Sequence, residues 1–535
     1  MTQKQAEKND AIVIGAGFAG MYLLHRLREA GFSVFAVEAA PDVGGTWYHN
    51  RYPGLRCDVD SLEYQYAWSD ELRREWRWSE RYSSQPEILR YAQWVADRLD
   101  LRRDIHFNTK IISAHWQEGP QDWLLTSATG VQFNARHVVF ATGALSVPRN
   151  PDIKGLNLFK GQFLHTARWP MEGAELAGKR VGLIGTGSSG VQIAPKMAEI
   201  ASHLTVFQRT PAYSVPARNR PLTEQDYAEF LGNLDTFDAK AHAHRGGIAL
   251  DLPTRGVQEV SQTDREAALA KRWQFGGAFP FLASFKDIQT DERSNEIVSE
   301  FVRAKIRETV ANQKTAATLI PNYYFATRRT CVDTGYFEMY NKANVTLVDV
   351  SKDPIAEFTQ SGIALASGEQ HDLDAVILAT GYDAMTGAFL SIDVKGRDGL
   401  TNHEAWAGGP KTYLGLTVAG FPNLFLMTGP GSPSVLSNVI RSIEQHVDWV
   451  TKCFIDLRKQ GVATIEATPK AQDDWVTHVN EVAQATLYVK TSSWYSGADI
   501  PGKPKVFAPY AGGLPQYRDK VEGVAREGYE GFSLK

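Results

Sequence analysis

The sequence predicts an α/β protein in which one strand–helix–strand unit occurs twice, and three observations carry that prediction. GAGFAG at 15–20 and GTGSSG at 185–190 each follow a short apolar run and precede apolar residues at helical spacing. HVVFATGA at 137–144 and AVILATGYD at 375–383 are apolar runs that both end in Ala-Thr-Gly. Between the second glycine loop and the second of these runs, residues 221–325 change to a mostly helical pattern.

In the first unit, residues 11–40, an apolar strand runs into Gly15, Gly17 and Gly20. A helix then carries Leu23, Leu24 and Leu27, and a second strand ends at Glu38. Glycines at this spacing let the chain turn tightly and let backbone N–H groups approach a pyrophosphate, while the helix N-terminus favours the negative charge. A carboxylate at the end of the second strand accepts hydrogen bonds from an adenosine ribose. The second unit, residues 180–210, repeats the plan with Gly185, Gly187, Ser188 and Gly190, but ends in Gln208-Arg209-Thr210. A guanidinium there attracts a 2′-phosphate that a carboxylate would repel. The pair reads as two Rossmann-like dinucleotide-binding domains, the first for FAD and the second for NADPH. If Arg209 were only a solvated charge, the second would take NADH.

The Ala-Thr-Gly strands are the expected crossings between two such domains. The domain map that follows has the FAD-binding domain at 1–150 and 381–535, and the NADP-binding domain at 151–220 and 326–380. The helical insertion at 221–325 interrupts the latter. NLFLMTGPGSPSVLSN at 423–438 supplies the last strand and turn of the FAD domain, with a helix start near the flavin ring. Within the insertion, Ile297, Val298, Phe301, Val302 and Ile306 share one face of a helix. We read that face as packing onto the NADP domain rather than as a partner-binding surface.

A net charge of −4 does not favour nucleic acid or an anionic membrane as partner. Cys57, Cys331 and Cys453 stand far apart, in no CxxC or metal-ligand spacing, so neither a disulfide framework nor a metal site is expected. MTQKQAEKND at the N-terminus has no apolar signal core, and no segment reaches the roughly 20 apolar residues of a membrane helix. The expectation is a cytoplasmic monomer with a small-molecule substrate and no obligate protein partner.

FKGQFLHTARWP, residues 159–170, lies just before the second glycine loop. Its pattern of Phe159, Gly161, His165, Trp169 and Pro170 resembles the fingerprint of the type I Baeyer–Villiger monooxygenases. GGTWYHNRYPGLRCD (44–58), ATRRTCVDTGYFEMYNKANVTLVDV (326–350), GPGSPSVLSN (429–438) and SSWYSGADIPGKP (492–504) resemble family segments in the family's order. By residue type the fingerprint is a joint between domains. Phe159 and Trp169 pack, Gly161 bends, Pro170 stiffens the exit, and His165 holds backbone groups rather than acting as acid or base.

The resemblance implies FAD, NADPH and O2 as cofactors and co-substrate, and a ketone converted to an ester or lactone through a peroxyflavin and a tetrahedral adduct. It implies a catalytic role for Arg329, with Asp58 orienting it. Arg328 stands where the family usually has lysine and is expected at the NADP phosphate. Trp494 is expected on the nicotinamide side, and Gly45, Thr46 and Trp47 along the flavin. Ser434, Val435 and Leu436 are expected in the substrate pocket, and GGAFPFLASF (276–285) near it. The alternative is an N- or S-oxygenating flavin monooxygenase, which uses the protonated hydroperoxide and has no need of Arg329. A disulfide-type reductase would want a redox CxxC, which the chain lacks.

Overall fold

The computed structural model describes residues 8–535. The polar residues 1–7, part of the stretch read as lacking a signal core, lie outside the described residues. The first sheet grows from Lys8–Ile14, which pairs in parallel with Val34–Val37 on one side and Gln132–Phe140 on the other. Asp122–Ser127 and Ile111–Gln117 continue it as an antiparallel meander. Late in the chain, Asp393–Lys395 adds to that meander and Leu424–Leu426 pairs with Gln132–Phe140, so the sheet is completed by residues beyond 381. The second sheet has five parallel strands in the order Val345–Asp349, His203–Gln208, Arg180–Ile184, Ala375–Leu378, Gln162–His165.

The two glycine loops repeat each other in geometry. Gly15 has φ +105° and Gly185 φ +108°, a region closed to other residues at low cost. A Cβ on Gly15 would lie 2.6 Å from the carbonyl oxygen of Ala141, and one on Gly185 2.4 Å from that of Ala379. The Ala-Thr-Gly alanines are therefore the surfaces on which the loops turn. A Cβ on Gly20 would meet the Gly15 oxygen at 1.8 Å and one on Gly190 the Gly185 oxygen at 2.1 Å, which brings each helix hard against its loop. Gly17 and Gly187 cap helices Phe18–Glu29 and Ser188–Ile200 with φ, ψ of −77°, −170° and −76°, −170°.

Past these loops the chain crosses twice between the sheets. The crossings pair with each other: the Arg149 N–H donates to Gly381 and the Asp383 N–H to Val147, both at 2.9 Å. His165 ends the edge strand Gln162–His165, and its Nδ1 accepts from the Ala167 N–H at 3.0 Å. Nε2 therefore carries the proton and donates to the Arg149 carbonyl at 3.2 Å, which also accepts from Thr380 Oγ1 at 2.6 Å. Burial lowers the pKa of His165, so the ring stays neutral and ties the edge strand to both crossings. Trp169 is buried in the core of the second domain. Gly161 lies where a Cβ would sit 2.5 Å from the Asp374 oxygen.

The insertion is helical, with its longest element at Glu292–Thr309. Val298, Val302 and Ile306 are buried, and Ile297 and Phe301 pack half-buried against the same core as Phe281 and Phe325. Asn295 on this face donates to the Ile288 and Phe325 carbonyls at 2.7 and 2.9 Å. The amphipathic face is thus internal. Among the described residues no helix is long and apolar enough to cross a membrane.

One buried carboxyl links the first domain to the insertion. Glu63 accepts from the Ala249 N–H at 2.6 Å, while its other oxygen has no hydrogen-bond partner. Burial pushes its pKa from an ordinary 4.5 up to about 8. The folded protein thus keeps a proton that the unfolded chain releases, and this stability, complete below about pH 4.5, is lost as pH rises through 8. Glu63→Gln is expected to raise the melting temperature at pH 8.5 by about 2–4 °C and to leave it unchanged at pH 4, as read by scanning fluorimetry at both pH values.

Candidate active site

The site forms where the first domain reaches onto the second. Residues 51–58 lie against helix Ser188–Ile200: Tyr52 donates to Gln192 Oε1 at 2.8 Å, and Gln192 Nε2 donates to the Arg56 carbonyl at 3.0 Å. Gly54 approaches this helix so closely that a Cβ would sit 2.4 Å from the Gln192 oxygen. The segment ends at Asp58. Arg329 arrives from the turn before strand Cys331–Asp333, which pairs with Ser214–Pro216.

Asp58 and Arg329 meet in a two-pronged ion pair, Nε to Oδ2 at 2.7 Å and Nη2 to Oδ1 at 2.6 Å. Nη1 donates to the Val435 carbonyl at 2.6 Å. Burial alone would lower the pKa of Arg329, but the charge and hydrogen bonds of Asp58 outweigh it and raise the value. The guanidinium is cationic at every working pH. These three bonds use three of its five N–H groups, leaving two for another acceptor.

Both residues line a cavity of about 140 Å³. Phe279, Leu282 and Phe285 from 276–285 form an apolar wall, Val435 and Leu436 another, and Tyr488 and Tyr495 close the side nearest the C-terminal loop. Ser434 departs from the expectation that it lines the pocket. Its φ of +39° turns it inward, its hydroxyl faces Met385 Sδ at 4.0 Å, and it is fully buried outside the cavity wall. Trp494 is half-buried, 4.4 Å between ring centroids from Tyr495, among Val435, Ala384 and Met385. It is Tyr495, the next residue, that faces the cavity. Sequence reasoning passed over Tyr488 and Tyr495 because an aromatic residue in a loop carries no sign of which way it points.

The two dinucleotide loops differ where the sequence differs. Glu38 is buried and accepts from the Ala16 and Ala40 N–H groups at 2.7 and 2.8 Å, and burial raises its pKa. Phe207 accepts from the Gly185 N–H as Val37 does from Gly15, so Gln208 takes the place of Glu38. Its amide turns away to donate to the Thr318 carbonyl at 2.8 Å. Arg209 follows, exposed, and Thr210 accepts from Thr186 Oγ1 at 2.8 Å. Arg328 packs over the Tyr323 ring at 4.9 Å, with Nε lacking a hydrogen-bond partner. Burial lowers its pKa and the like charge of Arg209 adds to the effect. Two cations without an ion-pair partner among the described residues thus stand together beside the second loop, as an anion would require.

The first loop fits an FAD. Its glycines allow close backbone approach: a Cβ on Gly45 would lie 3.0 Å from the Gly17 Cα, and one on Gly17 3.5 Å from the Gly45 Cα. Thr46 is exposed there, while the Trp47 indole is buried and donates to Tyr64 at 3.0 Å.

Comparisons with known proteins decide the family. The model for pyridine nucleotide-disulphide oxidoreductases matches residues 12–263. A Baeyer–Villiger monooxygenase of Pseudooceanicola batsensis is 43% identical over 97% of this chain and 95% of its own. The chain belongs to the Baeyer–Villiger monooxygenases. An acetone monooxygenase of a Gordonia species is 42% identical over 98% and 99% of the two chains. A phenazine N-monooxygenase of Lysobacter antibioticus is 40% identical over 98% and 97%. Among solved structures, an NADP-bound steroid monooxygenase superposes with TM-score 0.94 at 45% identity, covering 99% of each chain. A closed cyclohexanone monooxygenase superposes with TM-score 0.97 at 41% identity, covering 99% of this chain and 100% of that one. This Baeyer–Villiger monooxygenase is an FAD-containing, NADPH- and O2-dependent enzyme. Its three cysteines are free and buried, so it has no disulfide redox pair despite the name of the matching family model.

Arg329 and Asp58 are 25% and 23% exposed, which limits the cost of parting them. Asp58→Ala is expected to destabilise the protein by about 1–3 kcal/mol, because it strands the Arg329 charge. Asp58→Asn, which keeps one acceptor, should lose less. Urea unfolding midpoints of the two variants check this order, and equal losses would show that the ion pair is not what holds the turn.

Proposed function

We propose that this enzyme inserts an oxygen atom beside the carbonyl of a small ketone, giving an ester or lactone, at the cavity where Asp58 holds Arg329. The observation that carries the reading is the two-pronged Asp58–Arg329 pair, which leaves two guanidinium N–H groups for an acceptor in a cavity walled by apolar side chains. Bound flavin, reduced by NADPH, supplies the activation of dioxygen. Gly15, Gly17, Gly20, Glu38 and Gly45 would hold it, and Gly185, Gly187, Ser188, Gly190, Arg209, Thr210 and Arg328 would hold the NADPH.

The residues of the chain do the rest. Arg329 stabilises the negative charge that develops on the ketone oxygen, and because its charge is fixed, no reorganisation is needed as that charge grows. Asp58 and the Val435 carbonyl aim it. Phe279, Leu436, Tyr488 and Tyr495 exclude water, which strengthens the field of Arg329 over the short distance that matters. Trp494 braces this wall from behind. His165 keeps the crossings in register so that the second domain can move without losing its alignment. A cytoplasmic monomer acting on a diffusible ketone is part of the proposal, and three unpaired cysteines suit a reducing compartment.

The relative named a phenazine N-monooxygenase favours a second reading, oxygenation of nitrogen or sulfur at the same cavity. A panel of ketones, amines and sulfides, with NADPH consumption and products both measured, separates the two. Ester from a ketone is the expected result, and products from amines and sulfides alone would overturn the ketone reading. Arg329→Ala is expected to cut ester formation at least ~100-fold while NADPH oxidation continues with release of hydrogen peroxide. Ester formation that survives the substitution would remove Arg329 from the mechanism.

The assignment of the loops has its own test. Gly15→Ala is expected to yield protein without the yellow flavin absorbance. Gly185→Ala should keep the flavin but lose its anaerobic reduction by NADPH. The opposite pattern would exchange the two cofactors.

A further inference from the structure

The catalytic cavity carries more positive charge than the reaction uses. Its walls include Arg245, Lys286, Arg328 and Arg329, and its one carboxylate is Asp58, both oxygens of which bind Arg329. Lys286 is paired with Glu259 at 2.7 Å, and Arg328 stands beside Arg209 at the second dinucleotide loop. Arg245 remains. Among the described residues it forms no ion pair, in a chain whose net charge is −4 and where carboxylates are plentiful.

Arg245 is held, not loose. Its carbonyl accepts from the Leu514 N–H at 2.9 Å and its Nη2 donates to the Ala511 carbonyl at 2.9 Å. Gly513 makes room for its stem: a Cβ there would lie 3.1 Å from that of Arg245, and the backbone has φ +92°. One of the five N–H groups is thereby occupied, and the fork stays open to an acceptor. The neighbouring His244 adds no charge near neutral pH, since burial and the Arg245 charge push its pKa down to about 4. Tyr488, which accepts from Gln289 at 2.6 Å, lines the same cavity and lies within electrostatic reach of both Arg245 and Arg329. Along the cavity run Phe279, Leu282 and Phe285, and Leu252, half exposed, stands at its mouth beside Pro253.

We propose that the enzyme favours ketones whose far end bears a carboxylate, with Arg245 as the residue that recognises it. The carbonyl lies at Arg329, an apolar chain follows the phenylalanine wall, and the carboxylate reaches the Arg245 fork at the rim. This rests on the ketone reading of the same cavity. A bidentate guanidinium–carboxylate contact fixes the orientation of the chain and with it the carbonyl presented for oxygenation. The uncompensated charge at the mouth also draws an anion in.

The test compares 7-oxooctanoate with its methyl ester, a pair that differs in the charge and one methyl group, on the flavin-loaded enzyme with NADPH. We expect kcat/KM for the acid to exceed that for the ester by about 10-fold or more at low ionic strength, through KM, and the advantage to shrink at 0.5 M salt. Arg245→Gln should reduce the acid-to-ester ratio about 10-fold and Arg245→Lys should restore part of it. An acid no better than its ester, or a ratio unmoved by Arg245→Gln while both ketones are still oxidised, overturns the carboxylate subsite and leaves ketone oxidation standing. No oxygenated product from the acid, the ester or a panel of neutral ketones overturns the ketone reading itself, and the subsite with it.

Discussion

The ion pair between Asp58 and Arg329 is the constraint on which the rest of the molecule depends. A charge taken out of water is costly unless it is matched by a partner of good geometry, and removing either member leaves the other stranded. The two residues are 271 positions apart, one from the first domain and one from the turn at the end of the helical insertion. They can meet only if residues 51–58 lie on helix Ser188–Ile200, which the close approach of Gly54 and the Tyr52–Gln192 contact secure. A third part of the chain adds the Val435 carbonyl. The Asp58–Arg329 pair is therefore a product of domain docking, and any movement of one domain against the other is felt at the guanidinium.

The two sheets that carry these parts are near-copies in their working corner. Each turns its glycine loop on the carbonyl of an alanine in an Ala-Thr-Gly strand, and each opens its helix with a glycine in the same conformation. The difference between them is small in chain terms and large in charge. Glu38 in one becomes Gln208 in the other, with Arg209 next along and Arg328 brought in from more than a hundred residues away. A carboxylate suits a free ribose, and paired cations suit a phosphorylated one. The same framework thus presents opposite charge at its two loops through a change at one strand end and one arginine brought in from far along the chain.

The fingerprint segment holds this arrangement from the side. His165 is neutral and satisfied on both ring nitrogens by backbone groups, which leaves it no free site for proton transfer. Its value lies in joining the edge strand to both crossings, where Arg149 also forms an ion pair with Asp499 at 3.1 Å. The loop bearing Trp494 and Tyr495 is thereby tied to the joint between domains.

The sequence by itself determined what depends on local spacing. Glycines at fixed intervals after an apolar run, an acidic or basic residue at a strand end, and the apolar face of Glu292–Thr309 are each legible because their reason is short-range: a turn, a strand end, or a 3.6-residue period. Gly161, Trp169, Arg328 and Arg329 were singled out by resemblance to family segments, a match that carries no knowledge of what they touch. The tertiary structure alone decided orientation. Ser434 turns from the cavity while Val435 turns its carbonyl to Arg329, and Tyr495 rather than Trp494 faces the cavity. Arg245 becomes part of the wall only because Gly513 and Ala511 are brought beside it across more than 260 residues. Residue type says what a side chain can do, whereas its direction and its neighbours follow from packing between distant segments, and no local period encodes that.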